Sequence, residues 1–427
     1  MSHFSYRNSA LCAEDLPLAD IAARFSTPTY VYSKAAITEN YQAYANACAH
    51  GTERARDTLI CYSVKSNSNL AVLHLLSQLG SGFDIVSGGE LLRVLAAGGD
   101  PKKVIFSGVG KNREEMRLAL QHGIACFNVE SVAELHRLNE VAGSIGKQAT
   151  ISLRVNPNVD AKTHPYISTG LKENKFGVAF EDALATYRTA AALPHLTITG
   201  IDCHIGSQLL DDAPLLEALD KLIELIDQLA LEGILITHLD IGGGLGIDYA
   251  AEAPVAVGYY LARLFQKIDA WRARCYAGAP IRVLFEPGRS IVGNAGVLLT
   301  EVEFLKPGGE KNFAIVNAAM NDLIRPAMYE AWHGVLPLQP RDGQTILWDV
   351  VGPVCESSDW LARARPLCLQ EGDLLAIMSA GAYGMTMASN YNSRGRAAEV
   401  MVDGATPHLI RQREQVADLF ASESTLP

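Results

Sequence analysis

Short apolar segments alternate with amphipathic ones between residues 58 and 289. Eight of the apolar segments are rich in β-branched and aromatic residues and have the length of single buried strands. The stretches between them carry apolar residues at helical spacing. The eight predicted strands cover residues 58–65, 83–88, 104–108, 125–130, 151–157, 198–206, 238–244 and 281–289.

Residues 212–232 show the helical spacing most plainly. Their apolar residues recur every three or four positions, which predicts a helix with one buried face. The charged side chains lie mostly off this stripe and are most simply a solvated face. The stripe contains Leu215, Leu216, Leu219, Leu222, Ile223, Ile226 and Leu229.

The alternation of eight strands with helices predicts a (β/α)8 TIM barrel. A doubly wound parallel sheet gives the same alternation and remains an alternative. Two observations favour the barrel. The strand count is eight, and polar and glycine-rich residues gather at the C-terminal ends of many strands rather than at one crossover.

After about residue 290 the pattern changes to strands with few long helices between them, which predicts a mostly antiparallel β-domain. The segments are GVLLTEVEFLK, FAIVNA, TILWDVVGP, DLLAIMSAG and AEVMVDG. The early strand PTYVYS (28–33) has no partner of its own, and we expect it to join that domain. We therefore predict an N-terminal segment of the β-domain (1–34), a barrel (35–290) and a C-terminal β-domain (291–427).

Composition narrows the possible functions. The chain has 427 residues, 48% of them hydrophobic and 19% charged, as in a globular protein with more than one domain. A net charge of −11 argues against nonspecific binding to nucleic acid or anionic membranes. The sequence predicts no membrane span and no secretory signal. Eight scattered cysteines without a CxxC pair fit a reducing cytoplasm, and we expect no metal site.

In a (β/α)8 barrel, chemistry lies at the C-terminal ends of the strands, and two candidate residues stand there. Lys65 ends the first strand. Its ammonium could simply extend into solvent, but a lysine amine can also attack a carbonyl carbon. Glu286 ends the eighth strand, and a buried carboxylate needs a partner. That partner could be Arg289 or a protonated ring nitrogen.

Two further features stand at the same ends. Glycines 242–244 could form a tight turn, or they could let backbone N–H groups approach a phosphate. A dinucleotide fingerprint is disfavoured because its third glycine would fall on Ile247. His204 could be an ordinary core histidine or lie flat on a planar ring, and Ser207 could donate to the same phosphate.

One ligand accounts for all four features. Pyridoxal 5'-phosphate has an aldehyde for a lysine, a phosphate for glycine N–H groups, a flat ring, and a pyridine nitrogen that a carboxylate keeps protonated. A protonated ring nitrogen makes this cofactor a stronger electron sink. The constellation therefore predicts a reaction that passes through a carbanion.

The motifs YSVKSN, HIGSQ, GGGLG and EPGR, in this order, resemble the barrel-type pyridoxal-phosphate decarboxylases of basic amino acids, which have the alanine racemase-like fold. Three further segments are most similar to members that convert meso-2,6-diaminopimelate to L-lysine and CO2. They are THPYISTGLKENKFGV (163–178), NDLIRPAMY (321–329) and VGPVCESSDW (351–360). The resemblance runs from about Thr27 to Val402.

This resemblance implies roles for individual residues. The implied catalytic residues are Lys65 as the Schiff-base lysine, His204 as the residue stacked on the ring, and Cys355 as the proton donor. The implied cofactor-binding residues are Lys65, Asp84, His204, Ser207, Gly243, Gly244, Glu286, Gly288, Arg289 and Tyr383. The implied substrate contacts are Arg289, Arg325, Tyr329, Glu356 and Tyr383. It also implies a homodimer in which Cys355 and Glu356 reach the site from the partner subunit.

The substrate contacts make chemical sense. The far end of meso-diaminopimelate carries a carboxylate, which Arg325 could bind bidentately, and an ammonium, which Glu356 could accept. Because Arg325 precedes Pro326, we expect it to be extended just before a helix. Without this context, Arg325 could be an ordinary surface ion pair and Cys355 a core thiol.

Three alternatives remain open. A related decarboxylase could act on a D-amino acid or on carboxynorspermidine. A non-catalytic homologue could bind a protein partner, although the presence of Lys65, His204, Glu286 and Cys355 together argues against it. A nucleotide-dependent oxidoreductase is disfavoured by the failed dinucleotide fingerprint and by the strand count.

Overall fold

A computed structural model describes residues 3–49, 56–160, 170, 174–274 and 281–427. The chain divides into two compact units. One, here called the β-unit, comprises Met1–Asn40, Asp248–Glu252 and Ile291–Pro427. The other, the barrel unit, comprises Tyr41–Ile247 and Ala253–Ser290. The bounds of the three segments drawn from the sequence remain a prediction.

The barrel unit contains eight parallel strands, each paired with the next, and the eighth pairs with the first to close the barrel. This closure confirms the predicted TIM barrel and excludes the doubly wound sheet. The short strand Val178–Ala179 adds a parallel pairing to the fifth strand. In chain order the barrel strands are Thr58–Ser63, Gly82–Ile85, Val104–Phe106, Cys126–Val129, Ala149–Asn156, Leu196–Asp202, His238–Asp240 and Arg282–Phe285.

A helix follows each of the first seven barrel strands, and residues in the preceding loops cap several of these helices. The side chains of Ser87, Asn112 and Ser131 each accept a hydrogen bond from the backbone N–H three residues on, so each begins a helix. The helices are Leu70–Gln78, Gly88–Ala96, Arg113–His122, Val132–Ser144, Phe180–Ala191, Ala213–Leu231 and Val257–Arg274, with Lys34–Ala49 before the first strand and Arg289–Val292 after the eighth. Single 3-10 turns cover Val64–Ser66 and Pro101–Lys103.

Helix Ala213–Leu231 confirms the prediction for 212–232. Its buried face includes Leu225, which the sequence-based stripe omitted, and Ile223 from that stripe is only half-buried. The buried face of the helix is therefore rotated slightly from the predicted one.

The β-unit is built on one mixed sheet with mostly antiparallel pairings. Strand Thr29–Ser33 lies between Gly296–Lys306, to which it is antiparallel, and Ala398–Asp403, to which it is parallel. The early strand PTYVYS thus joins the C-terminal β-domain, as predicted. The remaining strands of this sheet are Phe313–Val316, Val335–Pro337, Ile346–Val351, Trp360–Leu367, Leu374–Ile377 and Thr406–Arg411.

Three short strands precede this sheet in the chain, Phe4–Arg7, Ala10–Ala13 and Leu16–Pro17, followed by helix Leu18–Phe25. Their apolar side chains pack on the sheet with Val31, Val297, Leu299, Val400 and Val402. Burying one such side chain contributes about 1.5–3 kcal/mol, which ties the N-terminal segment to the sheet. The unit also contains helices Arg325–Tyr329 and Val416–Leu419 and 3-10 turns Met385–Met387 and Tyr391–Ser393.

None of the described helices has both the length and the apolar character needed to cross a membrane.

Candidate active site

The first barrel strand ends in a 3-10 turn that carries Lys65. Lys65 Nζ lies 3.0 Å from Asp84 Oδ2, and Ser63 Oγ donates a hydrogen bond to the same oxygen at 2.8 Å. Asp84 is fully buried, whereas the Lys65 side chain is 35% exposed. The amine is therefore held by a buried carboxylate and remains accessible to a small molecule.

Glu286 is a buried carboxyl at the end of the eighth strand. Its Oε1 accepts long hydrogen bonds from Asn128 Nδ2 at 3.3 Å and from Ser107 Oγ at 3.4 Å. Among the residues that the structure describes, no cationic side chain forms an ion pair with Glu286. The alternative of a salt bridge to Arg289 is wrong, because Arg289 donates to Ser207 instead.

The surroundings of Glu286 favour its neutral form. Burial raises the pKa of Glu286 well above its usual value, and the charges of Asp84, Asp240 and Asp202 raise it further. The ammonium of Lys65 acts in the opposite direction and lowers this pKa. A positive group placed beside Glu286 would therefore stabilise the carboxylate.

Glu286 belongs to a cluster of three buried acids. Carboxylate oxygens of Asp202, Asp240 and Glu286 lie within 4.8 Å of one another. Burial raises the pKa of Asp240 to about 7, although Asp240 Oδ1 accepts the N–H of Gly242 at 2.9 Å. Burial likewise raises the pKa of Asp202 well above its usual value. The cluster therefore holds protons at neutral pH.

This cluster predicts a pH-dependent stability. Because the pKa of Asp240 is raised in the folded state, the folded protein binds more protons, and the free energy of unfolding falls as the pH rises toward 7. Asp240→Asn keeps an acceptor for Gly242 and removes this titration. We expect the stability of the variant relative to wild type to increase from pH 5 to pH 7, by at most about 1.4 kcal/mol per pH unit. Urea unfolding at several pH values measures this difference, and a constant difference would contradict the prediction.

His204 lies at the end of the sixth strand as a neutral ring. The backbone N–H of Gly243 donates to His204 Nδ1 at 3.2 Å, so Nδ1 carries no proton. Burial lowers the pKa of His204 well below its usual value, and the charges of Arg154 and Lys65 lower it further. The imidazole is therefore uncharged, with its proton on Nε2.

The glycine turn after the seventh strand is fixed by close packing. A Cβ on Gly243 would lie 2.1 Å from the carbonyl oxygen of Glu286, so no side chain fits there. Gly242 and Gly244 have φ of +69° and +112°, in the region that favours glycine. The turn therefore brings backbone close to both Glu286 and His204.

Gly288 and Arg289 follow the eighth strand, close to Glu286 in the chain. The buried Arg289 donates to Ser207 Oγ from Nη2 at 3.0 Å and from Nε at 3.3 Å, which leaves the hydroxyl hydrogen of Ser207 to donate elsewhere. A Cβ on Gly288 would lie 3.0 Å from Ser63 Cβ and from Ser66 Oγ. The end of the eighth strand therefore packs directly on the turn that carries Lys65.

A buried ionic network at the ends of the third to fifth strands was missed by the sequence analysis. Arg154 Nη1 lies 3.1 Å from Glu130 Oε1, and Arg154 Nη2 donates to the carbonyl oxygen of His204 at 3.4 Å. Lys111 Nζ is fully buried and donates to Glu134 Oε1 at 2.7 Å. One signal was present, since Arg154 interrupts the apolar strand ISLRVNP.

Arg325 and Tyr329 lie in the β-unit on helix Arg325–Tyr329. Arg325 is only 6% exposed, so the alternative of a surface ion pair is wrong. The predicted extended conformation is also wrong, because Arg325 is the first helical residue and Pro326 the second. Local sterics disfavour a helical residue before proline, and the contacts of the buried guanidinium outweigh that preference. Tyr329 is half-buried.

The remaining predicted residues of the β-unit differ in exposure. Cys355 is exposed, so the alternative of a core thiol is wrong, and its backbone N–H donates to Asn392 Oδ1 at 3.2 Å. Glu356 is also exposed and accepts a hydrogen bond from the Tyr391 hydroxyl at 2.5 Å. Tyr383 has φ +56°, a left-handed value that is uncommon for a tyrosine and strains its backbone.

The structure thus gathers one part of the predicted set in the barrel unit: Lys65, Asp84, His204, Ser207, Gly243, Gly244, Glu286, Gly288 and Arg289. The other part lies in the β-unit: Arg325, Tyr329, Cys355, Glu356 and Tyr383. Most of the motif at 163–178, namely 163–169 and 171–173, lies outside the described residues.

Comparisons with known proteins show the family of this chain. Residues 34–293 match the family model described as the pyridoxal binding domain of pyridoxal-dependent decarboxylases. The chain is 58% identical to the diaminopimelate decarboxylase of Pseudomonas aeruginosa, over all of both chains. It superimposes on the M. jannaschii diaminopimelate decarboxylase in complex with L-lysine with a TM-score of 0.94 and 36% identity, covering 99% of this chain and 98% of that one. The TM-score to the Helicobacter pylori diaminopimelate decarboxylase complexed with L-lysine is 0.89 at 41% identity, and the match covers 95% of this chain and 99% of that one.

Proposed function

The chain belongs to the pyridoxal-dependent decarboxylases and, within that family, to the diaminopimelate decarboxylases, and from this premise we propose how its residues act. The activity is the decarboxylation of diaminopimelate, with pyridoxal 5'-phosphate as cofactor. We infer that the substrate is the meso form, that carbon dioxide leaves from its D-centre, and that L-lysine is the product.

The barrel unit fits this cofactor on its own observations. Lys65 offers an accessible amine, and Glu286 offers a buried carboxyl that no described cation pairs with. The Ser207 hydroxyl, supported by Arg289, can donate to a phosphate. Glu286 is the observation that carries the proposal, because its ionised form is costly in this buried position unless a positive group joins it. The pyridinium nitrogen supplies that group.

When bound, the cofactor supplies an electron sink for the pair left behind as carbon dioxide departs. We propose that the Lys65 amine would hold the cofactor covalently and would be the group that the substrate amine replaces. Glu286 would keep a proton on the ring nitrogen, and the neutral His204 ring would stack on the cofactor. The glycine turn at Gly243 and Gly244, with Gly288 and Tyr383, contributes to binding the phosphate.

The reaction needs one proton after the carbon–carbon bond breaks. We propose that Cys355 Sγ gives its proton to the carbon that has lost CO2, which forms the new C–H bond of L-lysine. Cys355 and Glu356 are exposed in the single chain. This exposure supports a homodimer in which each subunit supplies these two side chains to the site of its partner.

The far end of the substrate sets the specificity in this proposal. Arg325 binds the carboxylate that is retained in L-lysine, Glu356 accepts the neighbouring ammonium, and Arg289, Tyr329 and Tyr383 complete the contacts. A decarboxylase of a simple diamine precursor would have no carboxylate for Arg325. A buried arginine that can form two parallel hydrogen bonds suits this role.

Arg325→Met tests this assignment. We expect the KM for meso-diaminopimelate to rise at least about 30-fold, because the variant removes one partner of a buried, hydrogen-bonded charge pair. Steady-state release of CO2 and formation of L-lysine measure the effect. The control is Arg341→Met, which removes only a surface ion pair with Asp373 and should leave KM unchanged. An unchanged KM for Arg325→Met would overturn the assignment.

A further inference from the structure

His333 is a fully buried histidine of the β-unit that has no part in the proposed chemistry. Its Nε2 lies 3.1 Å from Nη1 of Arg325, and its Nδ1 lies 2.8 Å from the carbonyl oxygen of Met378. A carbonyl oxygen only accepts hydrogen bonds, and a guanidinium only donates them. Both contacts are satisfied by one form of the ring alone, the neutral tautomer with its proton on Nδ1.

Tyr249 flanks the same guanidinium. Arg325 Cζ lies 5.0 Å from the centroid of the Tyr249 ring, within the range of a cation–π contact. The Tyr249 and His333 rings meet edge to face, with centroids 5.3 Å apart and an interplanar angle of 83°. The guanidinium is therefore held by an acceptor in its plane and by an aromatic face.

We propose that His333 and Tyr249 are positioning residues that orient Arg325 toward the second carboxylate of the substrate. This inference rests on the proposed function, since it needs Arg325 to bind that carboxylate. A free arginine side chain has many rotamers, and fixing it before binding removes the cost of ordering it afterwards. The His333 bond uses one of the five guanidinium N–H groups, and a bidentate carboxylate contact requires two. The pair thereby contributes to selection of ligands with a second carboxylate.

Two substitutions at His333 separate its two contacts. In His333→Asn, the amide nitrogen replaces Nδ1 and can still donate to Met378, but no acceptor remains for Arg325. In His333→Gln, the longer amide places an oxygen near the position of Nε2, so an acceptor for Arg325 is retained and the donor to Met378 is lost. The proposal requires that His333→Asn impair carboxylate binding by Arg325 and that His333→Gln largely preserve it.

Inhibition of the holoenzyme by two diamines provides the readout. L-Lysine carries the carboxylate that Arg325 would bind, whereas cadaverine has the same chain without it. We expect His333→Asn to raise the inhibition constant of L-lysine about tenfold, as for loss of one hydrogen bond to a charged group, and to leave that of cadaverine unchanged. His333→Gln should resemble wild type with both diamines.

Tyr249→Leu provides a second test if the buried His333 variants do not fold, because Tyr249 is only half-buried. We expect it to raise the inhibition constant of L-lysine about fivefold through loss of the cation–π contact, again without changing that of cadaverine. If any of these variants weakened inhibition by L-lysine and by cadaverine equally, the role of the residue would be merely structural and the proposal would be overturned.

Arg325→Met separates this proposal from the one on which it rests. If Arg325→Met weakens inhibition by L-lysine while His333→Asn and Tyr249→Leu do not, the positioning role is wrong and the carboxylate contact stands. If Arg325→Met also binds L-lysine like wild type, the role of Arg325 itself is wrong.

Discussion

Lys65→Ala is expected to lower kcat for meso-diaminopimelate by about 10⁴-fold or more, a loss at least as large as that of a single acid–base group. The variant loses the amine that would hold the cofactor and that the substrate amine would replace. It also leaves the buried Asp84 without the ammonium that lies 3.0 Å away. We therefore expect weaker retention of the cofactor together with loss of turnover.

Turnover and the absorbance of the purified protein measure these two effects. Wild type should be yellow and should change its spectrum when meso-diaminopimelate is added, whereas Lys65→Ala should lack the yellow band. Lys102→Ala, which removes an exposed lysine of the same unit, is the matched control and should behave like wild type. Turnover of Lys65→Ala within about tenfold of wild type would be incompatible with a catalytic Lys65.

Glu286→Gln is expected to lower kcat by about 10²–10³-fold, the range seen when one preorganised electrostatic contact to the reacting system is removed. Glutamine keeps the shape and the oxygen that Asn128 and Ser107 contact, but it carries no charge. A neutral amide cannot keep a proton on the ring nitrogen, so the developing negative charge is less well stabilised.

The pattern of the kinetic loss identifies its cause. Because the lost interaction acts on the transition state, kcat and kcat/KM should fall together and KM should change little. Glu140→Gln removes an exposed carboxylate of the same unit, which pairs with Arg113, and should leave both constants unchanged. Wild-type kcat in Glu286→Gln would show that the ring nitrogen has another partner.

The architecture could be predicted from the sequence because it depends on local alternation. Eight apolar segments with helical stretches between them are compatible with few folds, and the barrel is one. The ends of strands were less predictable. The seventh strand was expected over 238–244, but it ends at Asp240, because Gly242 and Gly244 turn the chain with positive φ. The strands at Trp360–Leu367 and Thr406–Arg411 were missed, since their apolar residues do not alternate regularly.

The candidate site was predictable where a chemically unusual residue stands at a strand end. Lys65, His204 and Glu286 each follow an apolar segment, and each has a chemistry that an apolar segment does not require. The Lys111–Glu134 and Arg154–Glu130 pairs were missed because their members are 23 and 24 residues apart and belong to different strand–helix units. Only the closed barrel shows that such charges are buried together.

The contact between Arg325 and His333 illustrates the same limit. The two residues are eight positions apart, a separation that no single helix or strand explains. The proline after Arg325 gave a correct local signal for a helix start, but the helix begins one residue earlier, at the buried Arg325 itself. Tertiary contacts of buried charged groups therefore account for much of what the sequence could not predict.

Borohydride reduction of the purified holoenzyme, followed by mass spectrometry of its peptides, tests most directly whether the Lys65 amine carries the cofactor. Reduction makes the bond between lysine and cofactor permanent, so the modified residue can be located. We predict the added mass of a phosphopyridoxyl group on the peptide that contains Lys65. That mass on the peptide of a different lysine, with Lys65 unmodified, would contradict the proposed active site.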